Sequence, residues 1–104
     1  MNTDWANWRE REFRRELLKE CANRGLIVNY HKVDSYSPVK GWPDLEIIGP
    51  NGMVYRELKT MTGEVSPDQR FIAWNIMKAG GSWSVWRPGD FAAGVIYDEL
   101  KRIS

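Results

Sequence analysis

Gly41-Trp42-Pro43-Asp44-Leu45-Glu46-Ile47-Ile48, then Gly49-Pro50-Asn51-Gly52, then Met53-Val54-Tyr55-Arg56-Glu57-Leu58-Lys59, reads as two strands joined by a tight turn. Residues 44–48 and 53–59 are β-rich runs, and the Gly-Pro-Asn-Gly stretch between them supplies the fixed and positive φ angles that reverse a chain. The two runs therefore form a hairpin. Side chains alternate along a strand, so Glu57 and Lys59 share one face while Leu58 takes the other. Asp44 stands at the mouth of the neighbouring strand, where its carboxylate can approach that of Glu57.

The rest of the chain arranges itself around this hairpin. Upstream, a first helix runs from an N-cap at Thr3 or Asp4 to Asn23, with Gly25 as its stop. Residues 26–33 form a first strand and residues 34–38 a polar loop. Downstream, residues 60–65 are a loop, and Ser66-Pro67-Asp68-Gln69 opens a second helix. Ser caps it, Pro takes its first position, and Gln lies three residues past the cap. That helix ends at Ala79 before Gly80-Gly81, residues 82–87 form a fourth strand stopped by Pro88, and Asp90 caps a last helix over residues 91–102. The order α-β-β-β-α-β-α predicts an α/β fold, a mixed β-sheet flanked by helices. Residues 1–104 read as one domain, without repeats, low-complexity tracts or linkers.

Composition is that of a soluble domain, with 42% hydrophobic and 28% charged residues. The net charge of +1 is too small to imply a nucleic-acid partner by itself. Arg9, Arg11, Arg14, Arg15 and Lys19 alternate with Glu10, Glu12, Glu16 and Glu20 along the first helix, a pattern expected of a solvated helix laced with i,i+4 pairs. The single cysteine, Cys21, precludes an internal disulfide and fits a reducing compartment. No apolar run has the length of a membrane span and no signal peptide opens the chain, so a cytoplasmic protein is expected.

Two carboxylates, Asp44 and Glu57, beside the Leu58 carbonyl make a hard oxygen site suited to Mg²⁺ or Mn²⁺. Lys59, on the face of Glu57, can pair with an attacking water or a phosphate. Metal and lysine together suit phosphodiester cleavage by an activated water. Glu-x-Lys is common in exposed strands, and Pro-Asp after a Gly-x turn is ordinary turn chemistry; the conjunction is far rarer.

In that conjunction the chain resembles the PD-(D/E)xK nucleases, and among them the VRR-NUC (virus-type replication-repair nuclease) group. The group's pattern is an acid in the first helix, then Gly-x-Pro-Asp-Leu, Glu-x-Lys and Ser-Pro-x-Gln. Here the motifs stand at Gly41 to Leu45, Glu57 to Lys59 and Ser66 to Gln69, in order and compactly spaced. The resemblance spans about Glu10 to Pro88 and suggests a stand-alone copy of the domain, of the kind phages carry. It implies a restriction-endonuclease-like fold, Asp44 and Glu57 as metal-binding acids with the Leu58 carbonyl as a further ligand, Lys59 as the catalytic lysine, and Gln69 as a residue that positions substrate or water. A capping box also asks for Gln at that position, and the two roles are compatible.

The first-helix acid is selected by geometry. At about 100° per residue, Ala6, Phe13, Leu17 and Cys21 form one apolar stripe and Glu10 falls inside it, whereas Glu12 and Glu16 project aside and Glu20 sits at the edge. A carboxylate on a buried face needs a partner or a metal, which selects Glu10. Arg14 lies near the stripe and is a candidate to neutralise that acid or contact a phosphate. His31, whose position resembles one carrying His in related phage sequences, and Trp42 are candidate substrate contacts. Trp74, Trp83 and Trp86 are expected in the core, and Trp5 and Trp8 at a substrate or subunit surface.

The expected activity is Mg²⁺- or Mn²⁺-dependent endonucleolytic cleavage of DNA. Resemblance to junction-resolving members of the group points to branched or structured DNA cut by a homodimer. The alternatives are a flap, nicking or single-strand nuclease of the same fold, or a non-catalytic nucleic-acid-binding module.

Overall fold

The hairpin is present. In the computed structural model, which describes residues 4–31 and 39–104, strand β1 (Ile27–Tyr30) is followed by β2 (Leu45–Gly49) and β3 (Gly52–Leu58). The three are antiparallel neighbours, with Val28 opposite Ile47 and Ile47 opposite Val54. Strand β4 (Trp83–Trp86) adds to β3 in parallel, Leu58 opposite Trp86, and completes a four-stranded mixed sheet in the order β1-β2-β3-β4. A parallel neighbour requires a crossover, and helix α2 (Pro67–Lys78) provides it.

One face of the sheet makes the core. Leu45, Ile47, Val54, Leu58 and Trp86 pack against Phe13, Leu17 and Cys21 of α1 (Glu10–Asn23). Ile96, Leu100 and Ile103 of α4 (Val95–Ile103) complete the cluster. Leu17, Leu45, Leu58 and Leu100 are fully buried, so truncation of any to alanine should cost about 2–5 kcal/mol. Burial pushes the Cys21 thiol up to about 11, which leaves it an inert core residue at neutral pH. The molecule is thus α/β, a mixed sheet flanked by helices.

Several boundaries differ from the sequence expectation. The first helix is not continuous: a 3₁₀ turn (Asp4–Asn7) precedes it and α1 begins at Glu10, because the Glu12 carboxylate accepts the Arg9 backbone N–H at 2.7 Å and fixes the entry there. Ala6 is accordingly exposed rather than part of the buried stripe. Thr3, the end of the expected first strand (residues 32–33) and the polar loop of residues 34–38 lie outside the described residues. The expected last helix is two: α3 (Pro88–Ala92) and α4, broken at Gly94, whose φ of 79° no helix accommodates. Asp90 does cap, but from inside α3, its carboxylate accepting the Arg87 N–H at 2.7 Å.

The tryptophans divide differently too. Trp86 is buried and Trp83 half-buried, but Trp74 is 57% exposed. α2 lies over the β3–β4 side of the sheet and buries only Ala73; Trp74, one residue on, swings about 100° away to solvent. There the Lys78 ammonium sits 4.7 Å from its ring centroid. Phe71 is 66% exposed on the same helix, so this face of α2 covers nothing among the described residues. No helix among the described residues is long and apolar enough to cross a membrane.

Candidate active site

The candidate residues gather at the end of the hairpin opposite its turn. Asp44 immediately precedes β2, Glu57 and Leu58 end β3, and Lys59 follows them. The 41–44 segment is set against the start of α2. Gly41 has φ 87°, and a Cβ there would collide with the Asp68 carbonyl, so only glycine lets this segment lie so close. Pro43 is fully buried behind it.

Short hydrogen bonds fix the acids. Asp44 Oδ2 accepts the Leu58 backbone N–H at 2.8 Å, and the Asp44 carbonyl accepts the His31 N–H at 2.9 Å. Glu57 is 1% exposed, and its Oε1 accepts from Gln69 Nε2 at 3.0 Å. Gln69 completes the capping box as well: its Oε1 accepts the Ser66 N–H at 2.9 Å, and its own N–H donates to Ser66 Oγ at 3.2 Å. One side chain therefore both starts α2 and holds Glu57. The second Glu57 oxygen, Oε2, is buried and meets no N–H or O–H donor among the described residues.

The electrostatics follow from this crowding. Burial, then a hydrogen bond to Asp44 and the Asp44 charge, push the Glu57 carboxyl up to about 9, with Glu10 adding to the rise and Lys59 opposing it. A proton on Glu57 turns its contact with Asp44 from repulsion into a hydrogen bond. The Glu10 carboxyl is also raised, by burial and then Asp44, against the pull of Lys59 and Arg14. Glu10, Asp44, Glu57 and Lys59 thus act on one another as a single charged group of side chains, although Glu10 arrives from a different element.

The residues fit a hard divalent cation. A buried carboxylate oxygen without a donor, beside a second carboxylate that it tolerates only by holding a proton, is the situation a cation relieves. Asp44 and Glu57 supply the carboxylate oxygens Mg²⁺ prefers, and Mg²⁺ commonly keeps several waters beyond one or two carboxylates. Among the described residues no three His, Cys, Asp or Glu side chains converge as a ready ligand set.

The other candidates are placed less directly. The Arg14 guanidinium lies 5.5 Å from the Tyr30 ring centroid and its charge acts on Glu10. His31 Nε2 lies 2.7 Å from Glu46 Oε1, an oxygen that Asn29 Nδ2 also reaches at 3.0 Å, so the His31 ring faces Glu46 while only its backbone touches Asp44. Trp42 is half-buried, edge-on to Tyr55 at 6.1 Å between centroids. Trp5 and Trp8 line a groove of about 670 Å³ with Phe91 and Tyr97, and none of Asp44, Glu57 or Lys59 lines it.

Two supports went unread in the sequence. Arg56, 3% exposed on the core face of β3, pairs with Glu99 at 2.6 Å and donates to the carbonyls of Tyr55 and Ser82, each at 2.8 Å. Trp86 Nε1 donates to the same Glu99 at 3.3 Å, and the guanidinium lies 5.1 Å from the Trp86 ring centroid. The available signal was parity: Arg56 alternates with Val54 and Leu58, and a charge at a core position demands a partner. Arg87 Nη1 fastens the loop after Lys59 by donating to the carbonyls of Thr60 at 2.6 Å and Gly63 at 2.7 Å. Loop closure of that kind leaves no local pattern.

The chain matches no protein-family model, no curated protein and no solved structure.

Proposed function

We propose that the chain is a divalent-metal-dependent endonuclease that hydrolyses DNA phosphodiester bonds, a PD-(D/E)xK nuclease of VRR-NUC type on a restriction-endonuclease-like fold. The observation that carries this reading is the buried Glu57 carboxyl, held by Gln69 on one oxygen, donorless on the other, with Asp44 and Lys59 beside it. Once ionised, Glu57 needs a cation at that oxygen, where the metal-free protein keeps a proton between it and Asp44. A bound Mg²⁺ or Mn²⁺ would polarise the scissile phosphate and make an attacking water more acidic. Asp44 and Glu57 hold that ion, the Leu58 N–H aims Asp44, and Gln69 aims Glu57. Lys59 brings positive charge to the side where negative charge grows on the phosphate. Glu10 orders water at the rim.

The substrate is expected to be branched or structured DNA, cut by a homodimer that sets one site on each of two strands. Incubating labelled four-way junction, flap, nicked duplex and single strand with Mg²⁺, Mn²⁺ or EDTA tests this. Metal-dependent cleavage strongest on the junction supports the whole reading. Strongest cleavage on another substrate keeps the chemistry and replaces the preference. Metal-independent binding without cleavage would make the protein a binding module.

A further inference from the structure

The charges of α1 are segregated in a way its alternating sequence conceals. Measured round the helix from Phe13 at about 100° per residue, Arg14, Arg11 and Arg15 fall at about 100°, 160° and 200°. On the same measure Glu20, Glu16 and Glu12 fall at about 340°, 300° and 260°, on the opposite flank. The acids are engaged: Glu12 caps the Arg9 N–H, Glu16 pairs with Lys19 at 3.3 Å and Glu20 with Arg24 at 2.8 Å. Arg11 and Arg15 are exposed and enter no ion pair or hydrogen bond among the described residues. The i,i+4 pairing expected across this helix is thus missing from its basic side.

We infer that this flank, Arg11, Arg14 and Arg15, is a track for the phosphate backbone of the nucleic acid being cut, an inference that rests on the nuclease reading. Three relations favour it. Arg14 faces Glu10, but Arg11 and Arg15 carry charge of one sign that no acid offsets among the described residues, which is how a nearly neutral protein can still present a phosphate-binding surface. The flank is continuous with the Glu10 side of the helix, because Arg14 follows Glu10 by one turn of α1 and lies about 40° from it around the axis. Arg11 and Arg15 stand one turn apart, about 6 Å along the axis, so their forked guanidinia can engage neighbouring phosphates of one strand. An anionic lipid surface would call for large apolar side chains along the flank, and Leu18 between the arginines is half-buried.

The test is binding in EDTA, which separates it from cleavage. Arg11→Ala/Arg15→Ala is compared with wild type and with Lys101→Ala/Arg102→Ala on α4, at the opposite end of the fold, by fluorescence anisotropy on a labelled junction across a salt series. The substitutions are exposed and alanine favours helix, so circular dichroism should be unchanged. If each arginine meets one phosphate, the slope of log affinity against log salt should fall by about 2, with the α4 variant unaffected. An unchanged slope in the α1 variant, an equal fall in the α4 variant, or no salt-dependent binding by wild type would overturn the inference. So would equal Arg11- and Arg15-dependent binding to phosphatidylserine vesicles, which would assign the flank to a lipid surface. If the slope falls as expected but wild type never cleaves with Mg²⁺ or Mn²⁺, the surface stands and the nuclease reading fails.

Discussion

The backbone N–H of Leu58 donates to Asp44 Oδ2 at 2.8 Å, so the strand that carries Glu57 also aims the other acid. The two carboxyls are set by one hairpin rather than by separate loops, and neither can move without disturbing the ladder between β2 and β3. Asp44→Asn keeps an oxygen that can accept this hydrogen bond, and should therefore fold. It removes a metal-binding charge, and the rise in melting temperature that Mn²⁺ gives the wild type by binding the native state should disappear. A full Mn²⁺ shift in this variant would exclude Asp44 as a ligand.

Glu57 makes the metal-free protein sensitive to alkali. Its carboxyl is raised from the usual carboxylate value of 4.5 to about 9, so between these values the folded state binds more protons than the unfolded state. The stabilisation from keeping Glu57 neutral is fully present below about pH 4.5 and is lost as pH climbs through about 9. Urea midpoints in EDTA should fall over that window in wild type. Glu57→Gln, which cannot ionise, should flatten the decline and also lose the Mn²⁺ shift. A decline of the same depth in the variant would place the titration elsewhere.

Glu10 should separate from its neighbours on α1. Acting through water, Glu10→Gln should slow cleavage by roughly 10–100-fold, as the loss of groups that orient metal ligands usually does. Glu12→Gln and Glu16→Gln, on the far flank, should cleave as wild type. Similar losses in all three would remove Glu10 from the site.

Arg56 should matter to stability, not to chemistry directly. Arg56→Ala leaves the half-buried Glu99 with only the Trp86 N–H and removes a donor from each of the Ser82 and Tyr55 carbonyls. Removing one partner of such a pair typically costs about 3–5 kcal/mol, read as a lowered urea midpoint. A shift below about 1 kcal/mol would mean that water replaces the pair, as at exposed ion pairs.

What the sequence made legible and what it concealed divide along physical lines. The hairpin was legible because Gly49 to Gly52 is punctuation with few readings, and the α2 start because Ser66, Pro67 and Gln69 each satisfy a local hydrogen-bonding need. The break at Gly94 was concealed because a lone glycine inside a helical pattern is also tolerated within a continuous helix. Trp74 was misplaced because an amphipathic pattern shows which face is apolar, not whether anything covers it. Arg56 with Glu99, 43 residues apart, and Arg87 with the 60–63 loop are non-local partnerships. Parity could flag the need for such a partner but not supply it. Asp44, Glu57 and Lys59 were legible through their motif spacing, whereas the donorless oxygen of Glu57 that gives them chemical meaning exists only in the packed structure.

Lys59 is where metal binding and cleavage should come apart. Cleavage of a labelled four-way junction should be measured for wild type, Lys59→Ala and Lys59→Arg alongside a Mn²⁺ titration read by melting temperature. Lys59→Ala should retain the fold and the Mn²⁺ shift while cleavage falls by about 10²–10³, the usual loss for one preorganised charge contact to a transition state. Lys59→Arg should recover little, because a planar guanidinium does not replace a compact ammonium. Full cleavage by Lys59→Ala, with metal bound as in wild type, would remove Lys59 from the chemistry and with it the proposed active site.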